Sequence, residues 1–276
     1  MISVNKKLCC VNDLPGVGKV ALAAMTPICS AKGINIHTLP TALVSNTLDY
    51  GAFEILDTTE YMEKTVEVWK HLGFAFDCIS TGFLVNPRQV QIIRRLIENQ
   101  TDHPALVVVD PIMGDDGGLY PGVSEEQVYS MRELSACADI LIPNYTEACL
   151  LSETNYQSDS MTYAQAEELI RRLRNLGARS VVITSALVDE INCVLGYDHT
   201  LNHLFIIPYE MIDVRFPGTG DIFSAALIGE VLCGASLESA ARYAADLTRD
   251  MIVRNMEKQD KLSGVEIEQY ISEVLR

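Results

Sequence analysis

The chain has 276 residues, 48% of them apolar, and 37 acidic against 21 basic residues give a formal net charge of −16. Length and apolar content suffice for a large core, whereas this acidity, with no basic run longer than two residues, excludes a surface built to neutralise nucleic-acid phosphates. No uninterrupted apolar stretch is long enough to span a bilayer.

Leu8 to Val11 reads as the core of a first strand. Lys19 to Ala31 reads as a helix ended by Gly33, and Ile34 to Leu39 as a second strand. Thr41 to Phe53 is polar and reads as irregular. Glu60 to Leu72 is a helix closed by Gly73, and Cys78 to Thr81 a short strand running into Gly82. Pro87 opens a helix to Asn99, as proline does in a first turn. Ala105 to Val109 is continuous in valine, as buried parallel strands are. Ser124 to Leu134 is helical, Ile140 to Ile142 a strand, Thr162 to Leu176 a helix ended by Gly177, and Ser180 to Thr184 a strand. Ile191 to Gly196 and His203 to Ile207 read as an antiparallel pair, and helices start from Asp221, Leu237 and Gly264.

Strand, helix, strand recurs at least five times. The expected fold is α/β, a central mostly parallel sheet flanked by helices, with ligands at the carboxyl ends of the strands. No repeat, low-complexity tract or linker divides the chain, so residues 1–276 are expected to form one domain. The eight cysteines include no C-x-x-C pair and read as small buried hydrophobes in a reducing compartment. Met1 leads into a strand-like run with Lys6 and Lys7 rather than an apolar signal core, so the expected location is cytoplasmic. The five histidines lack metal-ligand spacing.

The richest segment is Phe216-Pro217-Gly218-Thr219-Gly220-Asp221. A glycine turn opening a helix aims several N–H groups at one spot, at the positive end of the helix dipole. That spot suits negative charge on a transferring phosphoryl group. Asp221 would then take the proton of an attacking hydroxyl while the N–H groups of Gly218, Thr219 and Gly220 hold phosphoryl oxygens. The bland alternative makes Asp221 an N-cap.

Other strand ends carry polar residues. Asn12-Asp13-Leu14-Pro15-Gly16-Val17-Gly18-Lys19 mimics a P-loop, but Asp13 stands where its first glycine belongs and Val20 where a Ser or Thr should meet magnesium. It mimics a dinucleotide fingerprint too, but no acid ends the second strand. What survives is a flexible glycine-bearing loop at a strand end. Asp110 and Asp115 in Asp110-Pro111-Ile112-Met113-Gly114-Asp115-Asp116 are candidates for magnesium, which uses few carboxylates and keeps several waters. Asp116 reads as solvated. Asn144 and Glu147 stand three apart at a helix start, where Glu147 can orient a magnesium-bound water or close a capping box, or do both. Thr184-Ser185, at the end of another strand, can bond a phosphate.

In this order the pieces resemble the ribokinase superfamily, and within it the vitamin-kinase branch of pyridoxal/pyridoxamine kinases. The resemblance covers nearly the whole chain. Its specific parts are Gly218-Thr219-Gly220-Asp221 and Asp110-Pro111-Ile112-Met113-Gly114-Asp115. It implies a ribokinase-like three-layer α/β/α fold, a homodimer, ATP as phosphoryl donor with magnesium and often potassium, and a vitamer hydroxymethyl group as acceptor. It further implies Asp221 as catalytic base, Asp110 and Glu147 as organisers of magnesium, and Asn144, Thr184 and Ser185 on the ATP phosphates. Asp13, Thr41, Ser45, Asn46, Gly82 and Phe83 fall on the vitamer side.

The sequence departs from that branch in places. Its first loop is short, and Asn12-Asp13 resembles the loop of hydroxymethylpyrimidine kinases, as does Thr41-Ala42-Leu43-Val44. Ser45-Asn46, Tyr50-Gly51 and Asp221 lean toward pyridoxal kinases, and Phe83 stands where those enzymes often have tyrosine. A hydroxymethylpyrimidine kinase and a non-catalytic nucleotide or vitamer sensor are the alternatives. A sugar kinase would need a lid of extra strands, for which the sequence leaves no room between Val11 and Thr41.

Overall fold

The computed structural model describes residues 5–100, 102–120 and 122–274. Met1 to Val4, read above as the lead-in to the first strand, lie outside the described residues. The amino-terminal half runs β1 (Lys7–Val17), α1 (Ala21–Ala31), β2 (Asn35–Asn46), β3 (Ile55–Asp57), α2 (Thr59–Leu72), β4 (Cys78–Thr81), α3 (Pro87–Glu98), β5 (Leu106–Val109), a small hairpin of β6 (Gly114–Asp115) and β7 (Gly118–Leu119), and α4 (Glu125–Ser135). There follow β8 (Ile140–Leu141), α5 (Tyr145–Ser152), α6 (Tyr163–Asn175), β9 (Ser180–Val188), β10 (Ile191–Asp198), β11 (His203–Pro208), α7 (Thr219–Leu232), α8 (Leu237–Asn255) and α9 (Ile267–Val274).

Nine strands form one sheet in the order β11-β10-β9-β8-β5-β4-β1-β2-β3. The six central strands are parallel, and β3, β10 and β11 pair antiparallel at the edges. Side-chain alternation along each strand feeds two cores. Cys9 and Val11 of β1 face Met62, Val90, Ile93, Met131 and Leu169, on α2, α3, α4 and α6. Leu8 and Cys10 face Leu22, Met25, Ile222, Leu227 and Ala240, on α1, α7 and α8. Helices thus cover both faces of the sheet, as expected. Local signals set their ends: Asn86 and Ser124 cap α3 and α4, and Thr162 forms a capping box with Gln165 at α6.

Three expectations need correction. The supposed flexible loop after Val11 is strand, because Leu14, Pro15 and Val17 pair in register with Leu43, Val44 and Asn46. The same pairing makes Thr41 to Asn46 strand rather than irregular chain, and β3 adds to its free edge. A three-stranded flap therefore rises beyond the sheet without any insertion, simply because β1 and β2 run on. Thr184-Ser185 is not a strand end either. β9 continues to Val188, and its register against β10 shifts where Ala186 and Ile183 face Cys193 and Leu195. Ser185 sits in that bulge with a φ of 56°. Bulges of this kind re-aim side chains beside functional sites.

Candidate active site at the sheet switch point

Strand order reverses at β1: the chain moves to β2 on one side and later to β4, β5 and β8 on the other. A crevice opens at the carboxyl ends on either side of such a reversal. Asn12 ends the shared run of β1 with β2, Gly82 and Phe83 follow β4, and Asp110 follows β5. Helix α7 brings its amino terminus to the same place.

Gly218 is the N-cap of α7, in the left-handed region with φ 84°. Asp221, 8% exposed, lies in the first turn. It does not cap its own helix, contrary to the bland reading. Its carboxylate accepts hydrogen bonds from the Ala21 N–H at 2.8 Å and the Asn12 side-chain amide at 3.2 Å. Ala21 is held at φ 49°, a conformation that costs a residue with a Cβ roughly 1–2 kcal/mol. Burial raises the Asp221 carboxyl to about 6, with both hydrogen bonds working against the rise. A carboxylate so placed is ionised near neutrality and still basic enough to accept a proton.

Asp110 is half-buried and accepts from the Ser224 hydroxyl, one turn beyond Asp221, at 2.7 Å. Burial and the charge of Asp221 raise it to about 7, against the Ser224 bond. Glu147, 2% exposed, closes a capping box with Asn144: the Asn144 N–H donates to Glu147 Oε2 at 2.8 Å, and the Glu147 N–H to Asn144 Oδ1 at 2.9 Å. The Met113 N–H takes Glu147 Oε1 at 3.0 Å. Burial, and then the charge of Asp110, push Glu147 well above the usual carboxylate range. Glu147 thus holds backbone groups with both oxygens, without exhausting the four lone-pair sites of a carboxylate. It anchors the turn that carries Asp110. Asn144 likewise spends its amide on the Gly114 carbonyl at 2.8 Å. Thr184 bridges to Asn144 and stands beside it. Asp115 lies on the β6–β7 hairpin in an ion pair with Arg215 at 3.6 Å.

Among the described residues no three His, Cys, Asp or Glu side chains converge on a metal position. The site nevertheless fits magnesium. Asp110 follows a strand end with its charge disfavoured by burial and by Asp221, and it in turn raises the nearby Glu147; a hard cation that draws its other ligands from phosphate and water needs few carboxylates.

The vitamer-side residues divide. Asp13, Gly82 and Phe83 sit at the crevice. Asp13 is 9% exposed, and burial and then the charge of Asp221 raise it to about 7. Thr41 is fully buried with its hydroxyl donated to the Phe83 carbonyl at 2.8 Å. It shapes the Phe83 backbone and has no face for a ligand. Ser45 and Asn46 brace the β2–β3 turn: the Glu54 N–H donates to Ser45 Oγ at 2.9 Å and Asn46 to the Ala52 carbonyl at 2.9 Å. All three side chains thus have hydrogen-bond partners within the protein, Thr41 at Phe83 and the other two in the flap. Asn12 and Ser224 were not singled out as site residues; their partners are distant in sequence, and no local motif marks them.

Asp13 makes a stability prediction. Its folded-state pKa, about 7, lies above the ordinary 3.8. The folded state therefore binds the proton more tightly, and this group's contribution falls as pH rises from about 4 to about 7, then levels off. At pH 8 ionised Asp13 costs about 4 kcal/mol, at about 1.4 per pKa unit. Asp13→Asn should raise the denaturant midpoint at pH 8 and lose that advantage by pH 4. A variant less stable at pH 8 would contradict the assignment.

The profile of the phosphomethylpyrimidine kinase family matches residues 27–266. The chain belongs to that family. It is 33% identical over 238 residues to a pyridoxine/pyridoxal/pyridoxamine kinase of Bordetella avium, covering 81% of this chain and 76% of the relative. A Bacteroides thetaiotaomicron protein assigned to the phosphomethylpyrimidine kinases, crystallised with pyridoxal, superposes with a TM-score of 0.90 at 34% identity over 98% of this chain and 96% of that one. A pyridoxal kinase of Lactobacillus plantarum gives 0.88 at 26% over 98% and 96%. This family member therefore has the kinase fold expected from its sequence, and it is a phosphotransferase with an alcohol acceptor.

Proposed function

We propose that the chain is a single kinase domain, residues 1–276, that transfers the γ-phosphoryl group of ATP to the 5′-hydroxymethyl group of pyridoxal, pyridoxamine or pyridoxine. The observation that carries the chemistry is Asp221, buried in the first turn of α7 and aimed by two donors from β1 and α1. The vitamer is supported by the Bordetella relative and the pyridoxal-bound Bacteroides fold.

In this reading the vitamer lies at the ends of β1 and β4, between Asp13 and Phe83. ATP lies toward β8 and β9, near Asn144, Thr184 and Ser185. Asp221 orients the hydroxymethyl oxygen for in-line attack and takes its proton late, as the oxygen acidifies in a loose transition state. The N–H groups of Gly218, Thr219 and Gly220 receive the charge that develops on the phosphoryl oxygens. Asp110 would hold magnesium through water or directly, with Asp115 in reach only if Arg215 releases it. Bound there, the ion would neutralise phosphate charge. No helix among the described residues is long and apolar enough to cross a membrane, and a cytoplasmic enzyme acting on small molecules is the reading proposed. A homodimer is proposed too, on the exposed apolar residues Leu14, Val17, Leu43 and Leu56 of the flap.

The second reading, a hydroxymethylpyrimidine kinase, draws on the family profile and on Asn12-Asp13. ATP consumption with magnesium should be followed with the three pyridine vitamers and hydroxymethylpyrimidine in parallel. Turnover of the pyridines is expected. Turnover of the pyrimidine alone would keep the chemistry and replace the substrate, and binding of nucleotide without any turnover would favour a sensor.

A further inference from the structure

Asn12 is 2% exposed and uses every hydrogen-bonding position of its side chain. Its Oδ1 accepts from the Phe83 N–H at 2.8 Å and the Asp13 N–H at 3.0 Å. Its Nδ2 donates to Asp221 Oδ1 at 3.2 Å and to Met25 Sδ at 3.7 Å. The orientation of the amide is forced: turned over, it would set NH₂ against two N–H donors and oxygen against a carboxylate. Gly82 makes room for it, since a Cβ at that position would overlap the Asn12 amide. One amide thus spans the β1–β4 reversal and reaches helix α7.

We propose that Asn12 is a positioning residue for phosphoryl transfer, fixing the Asp221 carboxylate to the Phe83 backbone so that base and acceptor side keep one geometry. This rests on the reading of Asp221 as base. The carboxylate has two donors, and the Ala21 N–H alone would leave it free to swing about that single bond. Among the described residues, the charged groups that feel the Asp221 charge are acids, Asp13 from β1 and Asp110 from the end of β5. The Lys19 ammonium, between β1 and α1, is paired with Glu268. Removing the Asn12 donor therefore leaves burial with less to oppose it, and the base becomes harder to ionise.

The test compares Asn12→Ala, Asn12→Ser and Asp221→Asn with the parent enzyme, by kcat, KM for ATP and vitamer, and the pH profile of kcat/KM. Asn12→Ala should lose roughly 10- to 100-fold in kcat, the scale of an angstrom-sized misplacement. Its KM for ATP should stay within about twofold, and its acidic limb should move to higher pH. Asn12→Ser, whose hydroxyl can replace one donor, should fall between it and the parent; it carries the test if Asn12→Ala does not fold. The inference is overturned if kcat falls with the acidic limb in place, which marks mere packing, or if both Asn12 variants match the parent while Asp221→Asn is inactive. Near-normal turnover in Asp221→Asn would instead remove the base, and the inference with it.

Discussion

Asp221→Asn should lower kcat by at least ~10²-fold, the order of a missing general base, with ATP affinity little changed. The size of the loss follows from two separate consequences. An amide cannot take the proton of the vitamer hydroxyl. It also cannot accept on both sides, so its NH₂ would meet either the Asn12 amide or the Ala21 N–H, both of which now donate to Asp221. The parent should show a matching pH signature. With Asp221 at about 6, the ionised form is lost as pH falls through that value, so kcat/KM should decline on the acid side. In the variant that limb should vanish along with most of the rate. Steady-state kinetics over pH 5 to 8, paired with calorimetric ATP binding, separate the base from the binding site. Turnover close to the parent's in the Asn variant would reassign Asp221 to a purely structural place at the turn.

The sequence made the sheet legible where burial is two-sided. Leu8 to Val11 and Ala105 to Val109 are apolar without a break because helices cover both faces. The end of β5 was legible too, since the polar Asp110 directly follows its apolar run. The flap was not. Thr41 to Asn46 opens a stretch that read as irregular to Phe53 and is strand because Leu14 to Val17 lies beside it. Its state is set by a partner about thirty positions away, which no local window contains. The same limit hid the role of Asn12, whose partners Phe83 and Asp221 lie 71 and 209 positions along the chain. Glu147 illustrates the opposite case. Its spacing from Asn144 announced a capping box correctly. The box leaves the reading of Glu147 as an organiser of magnesium waters compatible with it, because the carboxylate has four lone-pair sites.

Gly218→Ala should cost both stability and turnover, and a comparison with Gly220→Ala separates the two. At φ 84° Gly218 occupies backbone space that a Cβ makes unfavourable by roughly 1–2 kcal/mol. The added carbon would also overlap the Lys19 carbonyl oxygen and stand 3.1 Å from the Val20 Cα, backbone atoms that cannot rotate away. That carbonyl is pinned from the far side, where a Cβ on Gly264 would lie 2.9 Å from it and where the Lys19 N–H donates to the Ser263 carbonyl at 2.9 Å. Relief must therefore come from the turn itself, which shifts the N–H groups of Thr219 and Gly220 and the Asp221 side chain together. A loss of about 2 kcal/mol should lower the melting temperature by roughly 4–8 °C, and kcat should drop at least ~10²-fold, because a displacement near 1 Å suffices for that. Gly220 meets nothing within 4 Å where its Cβ would stand, and its φ is not positive. Inside the first turn of α7, alanine there should stabilise the helix by about 0.5–1 kcal/mol. If Gly220→Ala raises the melting temperature yet slows transfer, the open space beside it belongs to the phosphoryl group. If it leaves the rate untouched, the N–H groups alone define the anion hole.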